Sequence, residues 1–446
     1  TILLFLISIL ASFFLLRAND LMAFYLSIEL QTLCFYLLII SKKRDFISIT
    51  SALKYFLLGT AFSAILLFGL SIVYTTLGTT TYEKISLLTF SLNNIEKHQI
   101  FFDAFAFSAN LYNKYFQFKI GCFFISIAFL FKLNAFPFHL WSPDVYEGTP
   151  RILTAFFLII PKFTVIISFV RLLSNINVDY SMINLDNIFF LPCSLFTFVL
   201  GVFFTITQTR LKRFLIFSSM ADTGFMLLIF YFRGPEFYLI LFFYLIGYSI
   251  MGLLVWMMLV SIRNKADSES FKSIRDFTAF GQVNSNLGLG LGFTFLSFLG
   301  LPPFLGFILK YYYFTSVLTF INIGGSYNSE ALVPFHLSET IPIVSDYSNE
   351  EFMFLFLKYG LPISYLKIFL VLIAILSALT CVYYLRILKT LYFDKPKNKE
   401  IAIFSPKLNR SNAILIAFNF VLVICFFPSN PNTLLAIAGL LSSCLL

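Results

Sequence analysis

The stretch FFISIAFLFKLNAFPFHLW, residues 123–141, decides the fold. It begins as an apolar run typical of a membrane helix, carries Lys132 within that run, and then reaches Pro137. Proline removes a backbone donor and breaks a helix, and at membrane depth such a break is tolerated where protein or a wet cavity covers the freed backbone groups. We therefore predict a membrane helix that is interrupted beside a buried lysine.

The composition of the whole chain indicates an integral membrane protein. Of its 446 residues, 59% are hydrophobic and 12% are charged, and the mean hydropathy is +0.88. A soluble globule could not bury that much apolar surface, and a disordered chain would need the opposite balance. The 6 cysteines and 3 histidines are too few and too scattered to predict a disulfide scaffold, a metal site, or a haem or iron–sulfur centre.

The net charge of +9 does not indicate nucleic-acid binding, because the basic residues are spread over short loops. On a membrane protein the same excess sets the orientation and attracts anionic lipid, and we expect cardiolipin among the lipid partners. The chain also contains 61 phenylalanines, a bias typical of AT-rich codons. That bias hints at an organellar gene.

Long apolar runs predict an all-α, polytopic membrane helix bundle with about eleven spans. The predicted spans are 2–16, 21–40, 53–77, 118–145, 152–173, 187–206, 213–232, 236–262, 284–320, 361–388 and 411–427. The fourth and ninth spans are too long for one straight helix. Both contain proline, at Pro137 in the fourth and at Pro302 and Pro303 in the ninth.

The two proline-broken spans predict an internal repeat. They lie five spans apart, and an odd separation reverses the second unit relative to the first. Broken helices in corresponding places of two inverted halves are typical of a transport path, although proline also kinks ordinary membrane helices. We predict two inverted five-helix repeats, 1–173 and 174–392, followed by a C-terminal loop and last helix, 393–446.

The distribution of basic residues predicts the orientation. Loops after even-numbered spans carry roughly twice as many Lys and Arg residues as loops after odd-numbered spans. The positive-inside rule then places Thr1 on the inner side and the C-terminus on the outer side. Two long polar segments, 78–117 and 323–360, fall on the outer side, either as insertions that contact partners or as solvated loops.

Four of the ionisable residues inside the predicted spans stand out: Glu29, Lys132, Lys162 and Lys310. A charge at the bilayer centre costs about 2.5–3.5 kcal/mol on insertion scales, so few survive without a use or a partner. A buried lysine can give up and regain a proton, and a nearby glutamate stabilises its charged form. We predict that the four form a row at mid-depth that transfers protons; the alternative is that the lysines make static ion pairs or extend to the interface.

Three further residues are weaker candidates for proton transfer. His139 follows the first break and suits a relay between two lysines, but a single histidine in a turn is more often structural. Asp222 falls inside the seventh span, where it would pair with a cation or face a wet cavity. Lys54 begins the third span and is equally consistent with extension to the interface, which we favour for Lys367 and Arg386.

The run FKLNAFPFHLWSPDVYEGTP, residues 131–150, resembles the signature of the antiporter-like subunit 2 family of mitochondrial NADH:ubiquinone oxidoreductase, respiratory complex I. Family members read F-K-x-x-x-x-P-F-H-x-W-x-P-D-x-Y-E-G-x-P, and each fixed position matches. Weaker matching stretches lie at 19–38, 52–69, 208–220 and 300–314. Their order and spacing fit the family along nearly the whole chain.

The resemblance implies a membrane-arm subunit of the enzyme NADH:ubiquinone reductase that pumps protons across the mitochondrial inner membrane, with Thr1 on the matrix side and the C-terminus on the intermembrane-space side. It implies an acid at Glu29 that pairs with Lys132, a second lysine at Lys162 and a third at Lys310. NADH, FMN, the iron–sulfur clusters and ubiquinone would belong to other subunits, and this chain would hold no cofactor or metal. Expected partners are other membrane-arm subunits, including neighbouring antiporter-like ones.

The chain departs from the family pattern in several places. Family members often have fourteen spans, so three N-terminal helices are absent or come from a separate polypeptide. The segments 78–117 and 323–360 look longer than usual. Asp222 stands where relatives carry histidine, and Arg151 after the signature is unusual.

Two other functions remain open on the sequence. The chain could be a subunit of a multi-protein cation/proton antiporter, which shares the broken helices and the buried lysine. It could also be a structural scaffold of the membrane arm that has lost pumping. The retained intramembrane charges argue against the scaffold, because a scaffold would gain stability by losing them.

Overall fold

Helices account for nearly all of the chain that a computed structural model describes. The described residues are 2–41, 46–89, 105–176, 185–232, 235–264, 273–278, 280–283, 285–322, 363–394, 404–406, 416–417 and 420. The helices are α1 (Ile2–Arg17), α2 (Leu21–Ile40), α3 (Phe46–Leu77), α4 (Phe105–Lys132), α5 (Trp141–Gly148), α6 (Arg151–Ile176), α7 (Leu185–Thr207), α8 (Leu211–Phe232), α9 (Pro235–Ser261), α10 (Phe280–Val283), α11 (Ser285–Leu299), α12 (Leu305–Asn322) and α13 (Ile363–Tyr392). A short helical segment, 82–89, follows α3, and a 3-10 turn spans Ile274–Phe277.

Within the described residues, 7 helices are long and apolar enough to cross a membrane. They are Leu21–Ile40, Phe46–Leu77, Arg151–Asn175, Phe189–Thr207, Leu211–Phe232, Phe237–Ser261 and Lys367–Tyr392. Helices α1 and α11 are apolar but shorter. The prediction of a polytopic helical membrane protein is therefore confirmed, with one small addition: strands β1 (Ile262–Asn264) and β2 (Phe404–Pro406) pair antiparallel.

The predicted spans from 2–16 to 361–388 coincide with helices or with pairs of helices that flank a break. The total of eleven stays a prediction, because 411–427 lies almost wholly outside the described residues, as does the segment 323–360. Helix α4 begins at Phe105 and so extends into the predicted outer segment 78–117. Helix α3 has 32 residues, about 48 Å at helical rise, and so outreaches a hydrocarbon core of about 30 Å.

Both predicted breaks are present. Helix α4 ends at Lys132, where Asn134 takes a φ of 59° and the Phe136–Pro137 peptide is cis, before α5 begins at Trp141. Helix α11 ends at Leu299, where Gly300 takes a φ of 86° and the Pro302–Pro303 peptide is cis, before α12 begins at Leu305.

The connections define two ends of the bundle. At the first, the loop between α1 and α2 meets the loop after α3 through a bridge between Asp20 and Thr81, and Arg171 donates to the Leu16 carbonyl at 2.9 Å. We call this the Asp20 end. At the opposite end, which we call the Glu147 end, Arg210 pairs with Glu147 and also bridges to Ser273.

Small residues and aromatic rings set the helix spacing. A Cβ on Gly201 would lie 2.6 Å from the backbone nitrogen of Ala221, so α7 and α8 approach as closely as their backbones allow. Near the centre, the Phe129 ring stacks on Phe169 at 4.0 Å and on Phe24 at 5.5 Å. This packing fixes α2, α4 and α6 together, and those helices carry Glu29, Lys132 and Lys162.

Candidate functional site

Glu29 lies on α2 at the edge of a buried polar region. Its Oε2 accepts a hydrogen bond from Thr32 Oγ1 at 3.4 Å, and Oε1 is buried with no partner among the described residues. Such an orphaned carboxylate oxygen is costly unless water or a proton satisfies it. The Thr32 side chain lines the neighbouring cavity, so the carboxylate stands beside space that water can enter.

Lys132 is the last residue of α4, where the helix breaks. Its Nζ is buried and has no hydrogen-bond partner among the described residues. Glu29 is the carboxylate whose charge acts on Lys132. Among the ion pairs of the described residues, however, Glu29 and Lys132 do not appear, so their charged atoms lie more than 4.0 Å apart. The structure thus brings Glu29 and Lys132 into the same region without direct contact.

A first cavity of about 40 Å³ lies between α2, the first break, α5 and α6. That volume holds about two or three waters. Lys132 and Lys162 both line it, as do Asn134 and Trp141. Lys132 Nζ, Asn134 Oδ1 and Trp141 Nε1 lack partners within the described structure. The cavity therefore offers water the polar partners it needs, between two lysines.

Lys162 lies on α6 and is 7% exposed. Its Nζ donates to the Ser219 carbonyl oxygen at 2.7 Å and to Tyr248 Oη at 3.4 Å, and it lies 4.5 Å from the centroid of the Tyr248 ring. Ser219 and Tyr248 line a second cavity. Lys162 therefore lines the first cavity and bonds to the wall of the second.

The second cavity, of about 20 Å³, is large enough for one water and is enclosed mainly by α8, α9, α11 and α13. Asp222 lines it, together with Ser218 and Tyr384. Asp222 Oδ1 accepts a hydrogen bond from Tyr244 Oη at 3.1 Å, and its Oδ2 is buried without a partner in the described part of the chain. The charge of this carboxylate acts on both Lys162 and Lys310.

Lys310 lies on α12, just after the second break. Its Nζ donates to the carbonyl oxygens of Phe298 and Leu299, at 3.2 Å and 3.1 Å. The break frees these carbonyls at the C-terminus of α11, where the helix dipole also favours a cation. The second break thus provides both of the carbonyl acceptors that hold Lys310.

The weaker candidates Lys54 and His139 lie outside this line of charges. Lys54 pairs with Asp144 at 2.8 Å on the surface, where the two side chains are 55% and 45% exposed. His139 is buried near the rings of Phe136 and Phe204, with centroids 6.2 Å and 6.3 Å away. It is not among the residues that line either cavity. A relay role for His139 stays a prediction.

Sequence reasoning missed three residues that complete the site: Ser219, Tyr244 and Tyr248. The contribution of Ser219 is its backbone carbonyl, which every residue type possesses. Tyr244 and Tyr248 are two of the 23 tyrosines in the chain. No pattern distinguishes them, and their partners lie on other helices.

Residues 18–325 match the family model described as NADH:quinone oxidoreductase/Mrp antiporter, TM. The chain belongs to this family. Among curated relatives, NADH-ubiquinone oxidoreductase chain 2 of Marchantia polymorpha is 31% identical over 449 residues, covering 100% of this chain and 77% of the relative. The protein of the same name from Arabidopsis thaliana is 29% identical over 433 residues, covering 96% and 72%.

Two solved structures share the fold. A chain of respiratory complex I from Thermus thermophilus, solved with bound aureothin, superposes with a TM-score of 0.67 at 20% identity, covering 97% of this chain and 79% of that one. A chain of the Mrp complex from Dietzia sp. DQ12-45-1b superposes with a TM-score of 0.73 at 14% identity, covering 99% and 77%. At these identities the likeness shows the fold alone.

Proposed function

We propose that this chain is a proton-translocating membrane-arm subunit of respiratory complex I. The observation that carries the proposal is the series Glu29, Lys132, Lys162, Asp222 and Lys310, which runs through the bundle beside two polar cavities. The family membership and the resemblance to NADH-ubiquinone oxidoreductase chain 2 support the same function. NADH, FMN, iron–sulfur clusters and ubiquinone then belong to other subunits.

The geometry suits stepwise proton transfer. Waters in the first cavity would connect Lys132 to Lys162, and Lys162 already touches the wall of the cavity that holds Asp222. In a low-dielectric interior, charges act on one another over longer distances than in water. A change of charge at Glu29 therefore alters the proton affinity of Lys132, and the disturbance passes along the series to Lys310.

The two breaks support the proposal of inverted repeats, 1–173 and 174–392. Helix α4 approaches its break from the Asp20 end, and α11 approaches its break from the Glu147 end. Each break lies next to a lysine of the series, Lys132 or Lys310. Two such half-paths, opening toward opposite ends, would let a proton enter from one side and leave on the other.

The orientation and surroundings are also part of the proposal. Arg210, Lys212 and Arg213 lie at the Glu147 end, which by the positive-inside rule faces the matrix. The chain then sits in the mitochondrial inner membrane beside other membrane-arm subunits and anionic lipids such as cardiolipin.

The test replaces the charges one at a time in the assembled complex. We expect Lys132→Met and Glu29→Gln to lower the number of protons pumped per NADH, because each removes a charge that neighbouring groups in the series respond to. The control is Lys367→Met, which removes an exposed lysine from α13. Pumping is followed by NADH-driven quenching of a pH-sensitive dye in sealed vesicles. Normal pumping by both assembled charge variants would refute the function.

The same assay separates the other two functions. A scaffold would keep its proton-to-electron ratio after Glu29, Lys132, Lys162 and Lys310 were all neutralised. A cation/proton antiporter would show sodium-dependent transport. We expect neither outcome, because a buried charge with no role is a net cost to the fold.

A further inference from the structure

Helix α5 separates the first cavity from the Glu147 end of the bundle. Trp141, Val145 and Tyr146 on one side of this helix line the cavity and are buried. Asp144 and Glu147 point the other way, and their side chains are 45% and 22% exposed. An eight-residue helix is too short to be stable alone, so its contacts decide its position.

Five charged residues tie this helix to its neighbours, and we call them the ionic latch: Lys54, Asp144, Glu147, Arg210 and Arg213. Glu147 accepts a hydrogen bond from Arg210 with one oxygen and from Arg213 with the other. Asp144 accepts from Lys54 on α3 at 2.8 Å and from Arg213 at 3.4 Å. The latch therefore fastens α5 to α3 on one side and to the start of α8 on the other.

The backbone of α5 is fastened as well. Lys212 donates to the carbonyl oxygens of Glu147 and Thr149, at 3.2 Å and 2.5 Å. A Cβ on Gly148 would lie 2.8 Å from the Ile47 carbonyl oxygen, so α5 rests directly on the first turns of α3. These contacts place the C-terminus of α5 against both of its neighbours.

Aromatic rings close the cavity beneath the latch. The Trp141 ring lies 5.0 Å from Phe131, 5.5 Å from Tyr55 and 5.8 Å from Tyr146, measured between centroids. Lys132 lines the cavity on the inner side of these rings. A proton that passes between Lys132 and the Glu147 end on this side of the cavity meets α5 and this aromatic layer.

The arrangement of the latch distinguishes it from ordinary surface pairs. An isolated exposed pair contributes about 0–1 kcal/mol. Here Arg213 joins both carboxylates, and both oxygens of Glu147 are occupied, so the charged groups act as a network. All of this bonding acts on one short helix whose opposite side faces the lysines.

We propose that the ionic latch holds α5 closed over the first cavity, and that movement of α5 opens the cavity to protons at the Glu147 end. Asp144 and Glu147 are then positioning residues, which act on Lys132 through the helix that carries them. This inference rests on the proposed function, since it gives the Lys132 cavity its access route. In this arrangement α5 is the gate, and the ionic latch sets the fraction of molecules in which that gate is closed.

The test uses a thiol placed in the cavity wall of the assembled complex. Val145→Cys introduces the thiol at a position that is 1% exposed. A small water-soluble thiol reagent should modify it slowly while the latch is intact. We expect Asp144→Asn with Glu147→Gln to speed that modification by about tenfold, because the charged bonds that favour the closed state are lost. Mass spectrometry then measures modification at residue 145 over time.

Two controls make the result specific. The native Cys193 on α7 is buried, and its modification should not accelerate. Glu83→Gln, an exposed acid near the Asp20 end, should leave the rate at residue 145 unchanged. If the double variant does not assemble, Asp144→Asn alone is compared in the same way. It removes the negative charge to which Lys54 and Arg213 bond at residue 144 but leaves Glu147 in place.

The outcomes separate the gate from the proposed function. An unchanged rate at residue 145, or equal acceleration at Cys193, overturns the latch. Passive proton leak without NADH should rise in the latch variant and remain at the original level in Glu83→Gln. Neither measurement needs pumping, so a negative result here does not contradict the proposed function. Normal pumping by Lys132→Met and Glu29→Gln would instead refute the proposed function and would leave the labelling result unchanged.

Discussion

Replacing Gly300 by alanine should disturb proton transfer through Lys310 by a route that no change of charge provides. Gly300 takes a φ of +86°, and a Cβ there would lie 3.1 Å from Lys310 Cδ and 3.3 Å from its Nζ. The substituted side chain and the lysine would compete for the same space. The lysine side chain would have to give by a few tenths of an ångström, and we expect this shift to disturb its hydrogen bonds to the carbonyls of Phe298 and Leu299.

The magnitude has two parts. A left-handed backbone costs a residue with a Cβ about 1–2 kcal/mol. Loss of one hydrogen bond from the Lys310 ammonium, which holds carbonyls at 3.2 Å and 3.1 Å, costs a further amount of about 1.5–3 kcal/mol. The first part lowers stability, whereas the second changes the site itself.

Gly78→Ala separates these two parts. Gly78 also has a positive φ, +72°, but a Cβ there would meet nothing within 4 Å. Both variants should lower the thermal stability of the subunit in the purified complex, measured by the temperature at which NADH-driven pumping is lost. At low temperature, Gly300→Ala should pump fewer protons per NADH, whereas Gly78→Ala should pump normally. If both variants pump as many protons per NADH as the original protein, the hydrogen bonds from Lys310 to the carbonyls of Phe298 and Leu299 are not needed for pumping.

Three further substitutions test the site and the packing. Asp222→Asn keeps the acceptor for Tyr244 but removes the charge shared by two lysines, so pumping should fall while assembly, followed by native gel, is retained; a full proton yield would contradict the role of Asp222. Gly201→Ala should destabilise the α7–α8 contact by about 1–3 kcal/mol and so lower the unfolding temperature. Gly59→Ala, where a Cβ meets open space, should not lower it. Equal unfolding temperatures for the two variants would contradict the close approach of α7 and α8. Arg171→Met should lower the same temperature by freeing the Leu16 carbonyl, to which Arg171 donates at 2.9 Å, at a cost of about 1–3 kcal/mol; no change would show that water replaces the bond.

The breaks in the helices were predictable because their cause is local. Pro137, Pro302 and Pro303 interrupt apolar runs that are too long for one helix, and the helices do end at Lys132 and Leu299. The start of α4 was not predicted, because residues 105–117 are too polar to read as a membrane span. The helix continues there for 28 residues in all, beyond the part that is apolar.

The partners of the buried charges were not predictable in the same way. Lys54 is a candidate for proton transfer because it begins a predicted span. In the structure it lies in an exposed pair with Asp144, because α5 folds back against α3. Asp144 is 90 residues away in the sequence. The intrinsic properties of the two residues do not reveal this pairing.

The sequence by itself predicted that Glu29, Lys132, Lys162 and Lys310 fall within apolar runs, since hydropathy is a property of neighbouring residues and burial of a charge is costly wherever it occurs. The tertiary structure decided what each charge meets: two backbone carbonyls for Lys310, Ser219 and Tyr248 for Lys162, and open cavity for Lys132. Carbonyl acceptors have no sequence signature, and cavities form between helices that are distant along the chain. Their positions follow from packing alone.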